Sequence, residues 1–291
     1  MRIRLGAFGD RLAERVADAA AGRTVPAAPR NAATVMLLRP SGSGAGEAGV
    51  VGEAGVEVLM LRRTAAMKFA PGAYVFPGGS VDEADFAAET GWHGPSAADF
   101  GSWLGCSPSL ARALVCAAVR ETFEESGLLL AGPPDGASVA DLRADPSWET
   151  DRMALAAGTL PLAELLTRRG LVIRADLLVP WARWITPEAE PRRFDTWFFA
   201  AAMPAGQEAT GHLAEADETV WLRPADAIEA AKAGTISLLP PTATTLNEFT
   251  RCRDLDDILG RRRTVAPVQP RMVVEDGEAW LLIPDEVAYP L

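Results

Sequence analysis

A well-delimited helix with an acidic end is the feature that most constrains this chain. Ser107 is a favourable N-cap, Pro108 suits the first helical position, and Gly127 can adopt the left-handed conformation that ends a helix. The pattern predicts a helix from Pro108 to Ser126. Its apolar residues recur at helical spacing, which indicates that one side of it is buried.

Three carboxylates share one face of this predicted helix, in its last turns. Glu121, Glu124 and Glu125 stand at i, i+3 and i+4, and like charges at such spacings repel by about 0.2–0.5 kcal/mol per pair. Negative charge near a helix C-terminus also opposes the helix dipole. A solvated acidic face is one interpretation of the run. The other is a site for a divalent cation, because hard cations take carboxylate oxygens as ligands.

The charge balance argues against several kinds of partner. The chain has 28 Lys and Arg against 39 Asp and Glu, a net charge of −11, whereas nucleic acids and anionic membranes attract basic surfaces. The three cysteines are widely spaced and predict neither a disulfide framework nor a zinc site. No signal-peptide pattern and no long apolar run is present. We expect a cytoplasmic protein without nucleic-acid or membrane partners, and we leave open a homodimer.

Strand-like and helical patterns alternate along the chain, which indicates an α/β or α+β fold. We predict a leading helix, several strands, two short helices before Gly105 and a C-terminal hairpin turning at Gly277. The predicted strands include Ala32–Leu38, Val56–Leu61, Leu128–Leu130, Leu177–Ile185 and Arg193–Ala202, and the predicted later helices are Pro224–Ala233 and Pro241–Arg251. We divide the chain into an N-terminal helical extension (1–30), a main domain (31–251) and a C-terminal extension with a hairpin (252–291).

A glycine pair lies upstream of the acidic helix. After a short predicted strand from Ala73 to Phe76, the sequence Pro77-Gly78-Gly79 predicts a tight turn. Paired glycines also let backbone N–H groups approach a ligand closely. An ordinary turn and a ligand-binding turn both fit this pattern.

Together the two segments resemble the Nudix hydrolase signature, G-x5-E-x7-R-E-U-x-E-E-x-G-U, where U is a bulky apolar residue. Gly79 matches the first glycine, and the second half is matched by Arg120, Glu121, Glu124, Glu125, Gly127 and Leu128. Asp85 replaces the first glutamate and Thr122 stands at an apolar position. Between Asp85 and Arg120 lie 34 residues where the family has 7. A signature divided in this way resembles the subgroup that contains the peroxisomal coenzyme A diphosphatases.

A second segment resembles a sequence pattern of that subgroup. Coenzyme A-cleaving members often carry S-x3-R-x3-G-x3-F-P-G-G before the box, and Thr64, Lys68 and Gly72 fall at those spacings before Phe76. The resemblance implies that Lys68 contacts a phosphate, although a lysine lacks the bidentate fork of arginine. We add Arg63 to the predicted substrate-binding residues, together with the backbone of Gly78 and Gly79.

The resemblance also implies a fold and a metal site. The expected fold is a Nudix-like α/β/α sandwich with a mixed sheet, an insertion inside the motif (86–119, including the start of the helix) and the C-terminal hairpin extension. Glu121, Glu124, Glu125 and Asp85 are the implied ligands of Mg²⁺ or Mn²⁺. Arg120 would orient a ligand carboxylate, and Arg120, Glu124 and Glu125 are the implied catalytic residues.

The implied activity is metal-dependent hydrolysis of a nucleoside diphosphate linked to another moiety. The first hypothesis is cleavage of coenzyme A or acyl-coenzyme A to 3′,5′-ADP and (acyl)phosphopantetheine. The alternatives are an ADP-ribose or dinucleotide pyrophosphatase, or a Nudix-fold protein that binds a ligand without turnover. The general base stays open between a box glutamate and a loop glutamate, with Glu188, Glu190, Glu215 and Glu218 as loop candidates.

Overall fold

The computed structural model describes residues 1–4, 10–23, 25–42, 55–65, 70–87, 90–137, 139, 141–210, 216–276 and 278–291. Lys68, Glu215 and Gly277, which carry three of the predictions above, lie outside these residues. The strands are β1 Arg2–Arg4, β2 Arg30–Pro40, β3 Val56–Arg63, β4 Ala73–Val75, β5 Gly78–Ser80, β6 Trp92–His93, β7 Ala131–Gly132, β8 Val172–Arg174, β9 Val179–Ile185, β10 Phe194–Ala202, β11 Ala216–Leu222, β12 Ser237–Leu238, β13 Pro267–Val268, β14 Arg271–Glu275 and β15 Glu278–Leu282. The helices are α1 Asp10–Ala20, α2 Glu83–Ala87, α3 Ala97–Leu104, α4 Pro108–Ser126, α5 Ser147–Ala156, α6 Leu162–Arg169, α7 Pro224–Lys232, α8 Pro240–Phe249 and α9 Leu255–Leu259, with short 3₁₀ turns at Leu142–Ala144 and Ala175–Leu177.

A mixed sheet forms the middle layer. Its strand order is β12-β4-β3-β2-β10-β9-β13, with β11 paired to β3 and β5 paired to β2. Strand β2 lies parallel to β10 and antiparallel to β3 and β5. It thereby connects the two halves of the sheet and holds β5 beside its residues 32–34.

Helices cover both faces of this sheet. From β2, Ala33, Val35 and Leu37 pack with the buried side of α4, whereas Met36 and Leu38 pack with α7, α8 and α9 on the other face. A strand buried on both faces reads as a continuous apolar run, which explains the pattern of this segment. The predicted α/β/α sandwich with a mixed sheet is confirmed.

Helix α4 has the predicted bounds and the predicted caps. The Oγ of Ser107 accepts a hydrogen bond from the N–H of Leu110 at 3.2 Å, and Gly127 ends the helix with φ of +70°. The guanidinium of Arg152, itself 2% exposed, donates a 2.8 Å hydrogen bond to the carbonyl of Glu124. A cation at a helix C-terminus is favourable, so Arg152 offsets part of the dipole penalty of the acidic run.

The segment after α4 differs from the prediction. Leu128–Leu130 is not a strand, although all three side chains are fully buried, and only Ala131–Gly132 pairs as β7. The side-chain amide of Gln207 accepts the N–H of Leu129 at 2.8 Å and donates to its carbonyl at 3.2 Å. A buried side chain therefore satisfies the backbone groups that a neighbouring strand would otherwise take.

The two chain ends form a small sheet of their own. The predicted C-terminal hairpin is present as antiparallel β14 and β15, and β1 pairs with β15 on its other side. Helix α1 contributes Val16, 2% exposed, to a small apolar cluster with Ala279. The two predicted extensions are thus joined by strand pairing, which the sequence pattern did not indicate.

In the described ranges, no single helix has the length and apolar content to cross a membrane. Helices α3 and α4 meet those criteria only as a pair, and the two are bent by 94° at the break between them.

Candidate active site

The guanidinium of Arg120 joins the two divided segments. It is 8% exposed, and its Nε and Nη2 donate to the two oxygens of Asp85 at 3.2 and 2.9 Å. Its Nη1 lies 2.7 Å from an oxygen of Glu121 and 3.4 Å from one of Glu124. Its Nη2 also donates to the carbonyl of Ser80 at 2.8 Å. Arg120 therefore fastens β5, α2 and the end of α4 to one another across the 34-residue separation.

The glycine pair approaches the other side of the acidic run. The N–H of Gly78 donates to Oε2 of Glu125 at 2.8 Å. A Cβ on Gly79 would collide with the carboxylate of Glu121, and one on Gly78 would lie 2.5 Å from the carbonyl of Ala33. The predicted tight turn at Pro77-Gly78-Gly79 is wrong, because Gly78–Ser80 is strand β5 paired with β2. Glycine is needed here because β5 packs closely against β2 on one side and against α4 on the other.

The insertion that divides the signature is anchored in the core. As predicted, the segment 81–105 contains two short helices, α2 and α3, and it adds the two-residue strand β6. Phe100 and Leu104 of α3 are fully buried in the cluster formed by α4. The carbonyl of Leu104 accepts the indole N–H of Trp197 at 3.0 Å. The insertion thus packs against the sheet and α4 while the acidic end of α4 keeps its contact with β5.

Burial sets the electrostatics of the acidic run. Desolvation raises the pKa of Glu121 to about 7, although the charge of Arg120 acts to lower it. Desolvation also raises the pKa of Glu124, again against Arg120. Burial alone would lower the pKa of Arg120, but its hydrogen bond to Asp85 and the nearby carboxylate charges hold that pKa above its usual range. Asp85, Glu121 and Glu124 share one guanidinium, so negative charge exceeds positive charge, which favours an added cation.

The donor set fits a hard divalent cation. Glu121, Glu124 and Glu125 supply carboxylate oxygens from one face of α4. Among the described residues, no group of three or more His, Cys, Asp or Glu side chains is already placed to hold a metal ion. One oxygen of Glu121 is bonded to Arg120 and one of Glu125 to Gly78. Binding an ion therefore requires these side chains to adjust.

The position of Asp85 favours an orienting role over the ligand role that the family resemblance implies. Its side chain is 2% exposed and both oxygens bond to Arg120. One of them also accepts the N–H of Asp82 at 2.9 Å. A carboxylate used in this way holds the guanidinium, and through it Glu121, in place.

The predicted substrate-binding residues are only partly covered by the structure. Arg63 is the last residue of β3, and its carbonyl accepts the N–H of Gly72 at 3.0 Å, just before β4 leads to Gly78. Lys68 lies outside the described residues. Roles for both in binding a phosphate remain predictions.

Two of the loop candidates for a general base, Glu190 and Glu218, contact other elements. Glu218 of β11 accepts a 2.8 Å hydrogen bond from the hydroxyl of Tyr74 and lies 3.6 Å from Arg62. The carboxylate of Glu190 lies 4.0 Å from Arg15. Glu215 lies outside the described residues, and the choice of general base between a box glutamate and a loop glutamate stays open.

Sequence reasoning missed two supporting groups. The carbonyl of Ser80 accepts from Arg120, and Arg152 donates to the carbonyl of Glu124. Ser80 follows the glycine pair directly, so the match at Gly79 could have drawn attention to it. Arg152 belongs to α5, and no sequence spacing relates it to α4.

The threonine at the apolar signature position is fully buried. The Oγ1 of Thr122 has no hydrogen-bond partner among the residues that the structure describes. A buried hydroxyl without a partner is unfavourable relative to a methyl group of the same shape. Thr122 therefore fills the buried space of this position, but it carries a hydroxyl group where the signature has an apolar side chain.

Comparison with known proteins agrees with this geometry. The family model described as the NUDT19 Nudix domain matches residues 29–98 and 107–249, well over half of the chain. The chain belongs to the Nudix hydrolase family. The predicted family and the predicted enzyme class, a Nudix hydrolase, are thereby confirmed. Nudix hydrolases generally use divalent metal ions.

Individual relatives cover most of this Nudix hydrolase. It is 31% identical over 232 residues to nudix hydrolase 7 of Caenorhabditis elegans, an alignment that spans 76% of this chain and 65% of the relative. It is 29% identical over 271 residues to the acyl-coenzyme A diphosphatase NUDT19 of Gallus gallus, spanning 79% of this chain and 70% of that protein. The chain thus spans about two thirds of the length of these relatives. A solved Nudix hydrolase from Alicyclobacillus acidocaldarius superposes with a TM-score of 0.65 at 29% identity, covering 81% of this chain and 98% of that one.

Proposed function

We propose that this Nudix hydrolase cleaves the diphosphate of coenzyme A or an acyl-coenzyme A, giving 3′,5′-ADP and (acyl)phosphopantetheine. The observation that carries the proposal is the set of contacts that Arg120 makes with Ser80, Asp85 and Glu121, since these contacts rejoin a divided Nudix signature. The similarity to a protein named acyl-coenzyme A diphosphatase supports this substrate class.

The proposed chemistry is attack of water on one phosphorus, with cleavage of the anhydride P–O bond. When bound, Mg²⁺ or Mn²⁺ would neutralise part of the phosphate charge and lower the pKa of the attacking water. Glu121, Glu124 and Glu125 would hold the ion. Arg120 restricts the positions of the Glu121 and Glu124 carboxylates, and Asp85 in turn orients Arg120 through two hydrogen bonds. A guanidinium fixed in this way limits the positions from which these carboxylates adjust to bind an ion.

A substrate panel tests the proposal. Purified protein is incubated with Mg²⁺ or Mn²⁺ and coenzyme A, acyl-coenzyme A, ADP-ribose or NADH, and the products are separated by chromatography. We expect release of 3′,5′-ADP from the coenzyme A substrates only when a divalent ion is present. Cleavage of ADP-ribose or NADH but not of coenzyme A would instead select a pyrophosphatase of the other class. No turnover of any member would leave a ligand-binding protein and contradict the proposed activity.

A further inference from the structure

A cavity of about 160 Å³ opens directly beside the acidic run. Its polar side is formed by Asp82, Asp85, Arg120 and Glu124. Its other side is apolar and comes from the connection between α5 and α6, where Ala156, Leu160 and Pro161 line it. Diphosphate chemistry at Glu124 and Arg120 would therefore take place next to an apolar wall.

This wall is a built surface. Leu155, Leu160 and Leu162 are each 4% exposed and belong to the same core cluster as α4. The turn between the helices is held by the carbonyl of Ala154, which accepts the N–H groups of Thr159 at 2.9 Å and Leu160 at 3.2 Å. Because the wall is fixed by the core, it exists before a ligand binds and requires little ordering on binding.

The chemical neighbour of the diphosphate differs between candidate substrates. In coenzyme A, the group attached to the diphosphate on the pantetheine side is a methylene followed by a carbon with two methyl groups. In ADP-ribose and the dinucleotides it is a ribose, whose hydroxyl groups need hydrogen-bond partners. An apolar cavity of roughly 150 Å³ accommodates a benzene molecule, so the present cavity has the size for the dimethyl-substituted carbon and its neighbours.

We propose that the wall formed by Ala156, Leu160 and Pro161 binds the dimethyl group of the pantetheine arm and selects pantetheine diphosphates over ribosyl diphosphates. This inference rests on the proposed function, because it assigns a part of that substrate to the same site. Two buried methyl groups contribute about 0.8 kcal/mol each, which corresponds to about 15-fold in affinity. A ribose at the same wall would lose hydrogen bonds to water from the hydroxyl groups that face Ala156, Leu160 and Pro161, whose side chains have no donor or acceptor.

The test uses binding, so that it does not depend on turnover. Wild-type protein is titrated by calorimetry in the presence of Mg²⁺ with 4′-phosphopantetheine and with ribose 5-phosphate, which carry the two alternative groups on the same phosphate and have no anhydride bond to cleave. We expect 4′-phosphopantetheine to bind at least about tenfold more tightly. Equal affinities, or no detectable binding of 4′-phosphopantetheine, would overturn the proposal.

Two adjacent alanines provide a matched pair of variants. Ala156 is exposed and lines the cavity, whereas Ala157 is exposed and lies outside the lining. Ala156→Phe is expected to fill the cavity and weaken 4′-phosphopantetheine about 15-fold, with ribose 5-phosphate unchanged. Ala157→Phe is expected to leave both affinities as in the wild type. Unchanged 4′-phosphopantetheine binding in Ala156→Phe, or equal losses for both ligands, would contradict the assignment.

Thermal unfolding of each variant shows whether it is folded, and Ala156→Leu serves as a smaller filling variant if Ala156→Phe is not folded.

Two different results separate this subsite from the proposed function. Selective binding without hydrolysis of coenzyme A would overturn the proposed function alone. Hydrolysis of coenzyme A without selective binding would overturn this subsite alone.

Discussion

Glu124→Gln is expected to lower kcat/KM for coenzyme A by about a thousandfold or more, which is about 4 kcal/mol of transition-state stabilisation. The amide keeps the shape of the side chain but removes the negative charge that a divalent ion requires. Because burial already raises the pKa of Glu124, the neutral side chain removes a desolvated charge and should not lower the melting temperature. Steady-state kinetics and thermal unfolding of the same preparation check both parts.

The matched control is Glu229→Gln. Glu229 is an exposed residue of α7 that pairs with Lys232, and its loss is expected to leave kcat/KM within about twofold, as for most surface substitutions. A Glu124→Gln enzyme with wild-type activity would show that this carboxylate has no part in the reaction. Loss of activity together with a large drop in melting temperature would instead point to a structural role.

Arg120→Met is expected to destabilise the fold by about 3–5 kcal/mol, because removing one partner of a buried ion pair leaves an uncompensated charge. Asp85 is 2% exposed and would lose both hydrogen bonds from the guanidinium. The carbonyl of Ser80 would also lose its donor. Each kcal/mol lowers the melting temperature of a chain of this size by about 2–4 °C, so we expect a decrease on the order of 10 °C.

A double variant separates the charge effect from lost packing. Arg120→Met/Asp85→Asn is expected to recover about half of the loss or more, since the buried charge is then gone as well. Arg168→Met is the surface control, because Arg168 forms a solvent-exposed ion pair with Glu164. Such pairs contribute about 0–1 kcal/mol to stability. Equal effects of Arg120→Met and Arg168→Met would contradict the role of Arg120 as the junction of the site.

Local signals predicted the parts of the structure that local chemistry determines. The caps Ser107 and Gly127 gave the bounds of α4 as the structure has them, because capping groups act on the adjacent turn alone. The apolar run Ala32–Leu38 predicted a strand, and the structure shows that strand β2 is covered on both faces. The three glutamates on one helix face follow from the 3.6-residue period once the helix is known.

Other features depend on contacts between distant segments and could not be read locally. The backbone N–H and carbonyl of Leu129 form hydrogen bonds with the side chain of Gln207 and not with a neighbouring strand, so this strand-like run is not a strand. The sequence at Gly78 and Gly79 predicted a turn, but these residues pair with β2 as a strand, and their close approach to β2 and α4 requires glycine. The resemblance to the Nudix signature implied Asp85 as a metal ligand, whereas its burial with Arg120 favours a supporting role.

The most direct test of the account is a crystal structure of the protein soaked with Mn²⁺ and recorded at a wavelength where manganese scatters anomalously. We expect an anomalous peak coordinated by carboxylate oxygens of Glu121, Glu124 and Glu125, with Asp85 still bonded to Arg120. A peak coordinated elsewhere, or no peak at the end of α4 at a Mn²⁺ concentration that supports turnover, would contradict it.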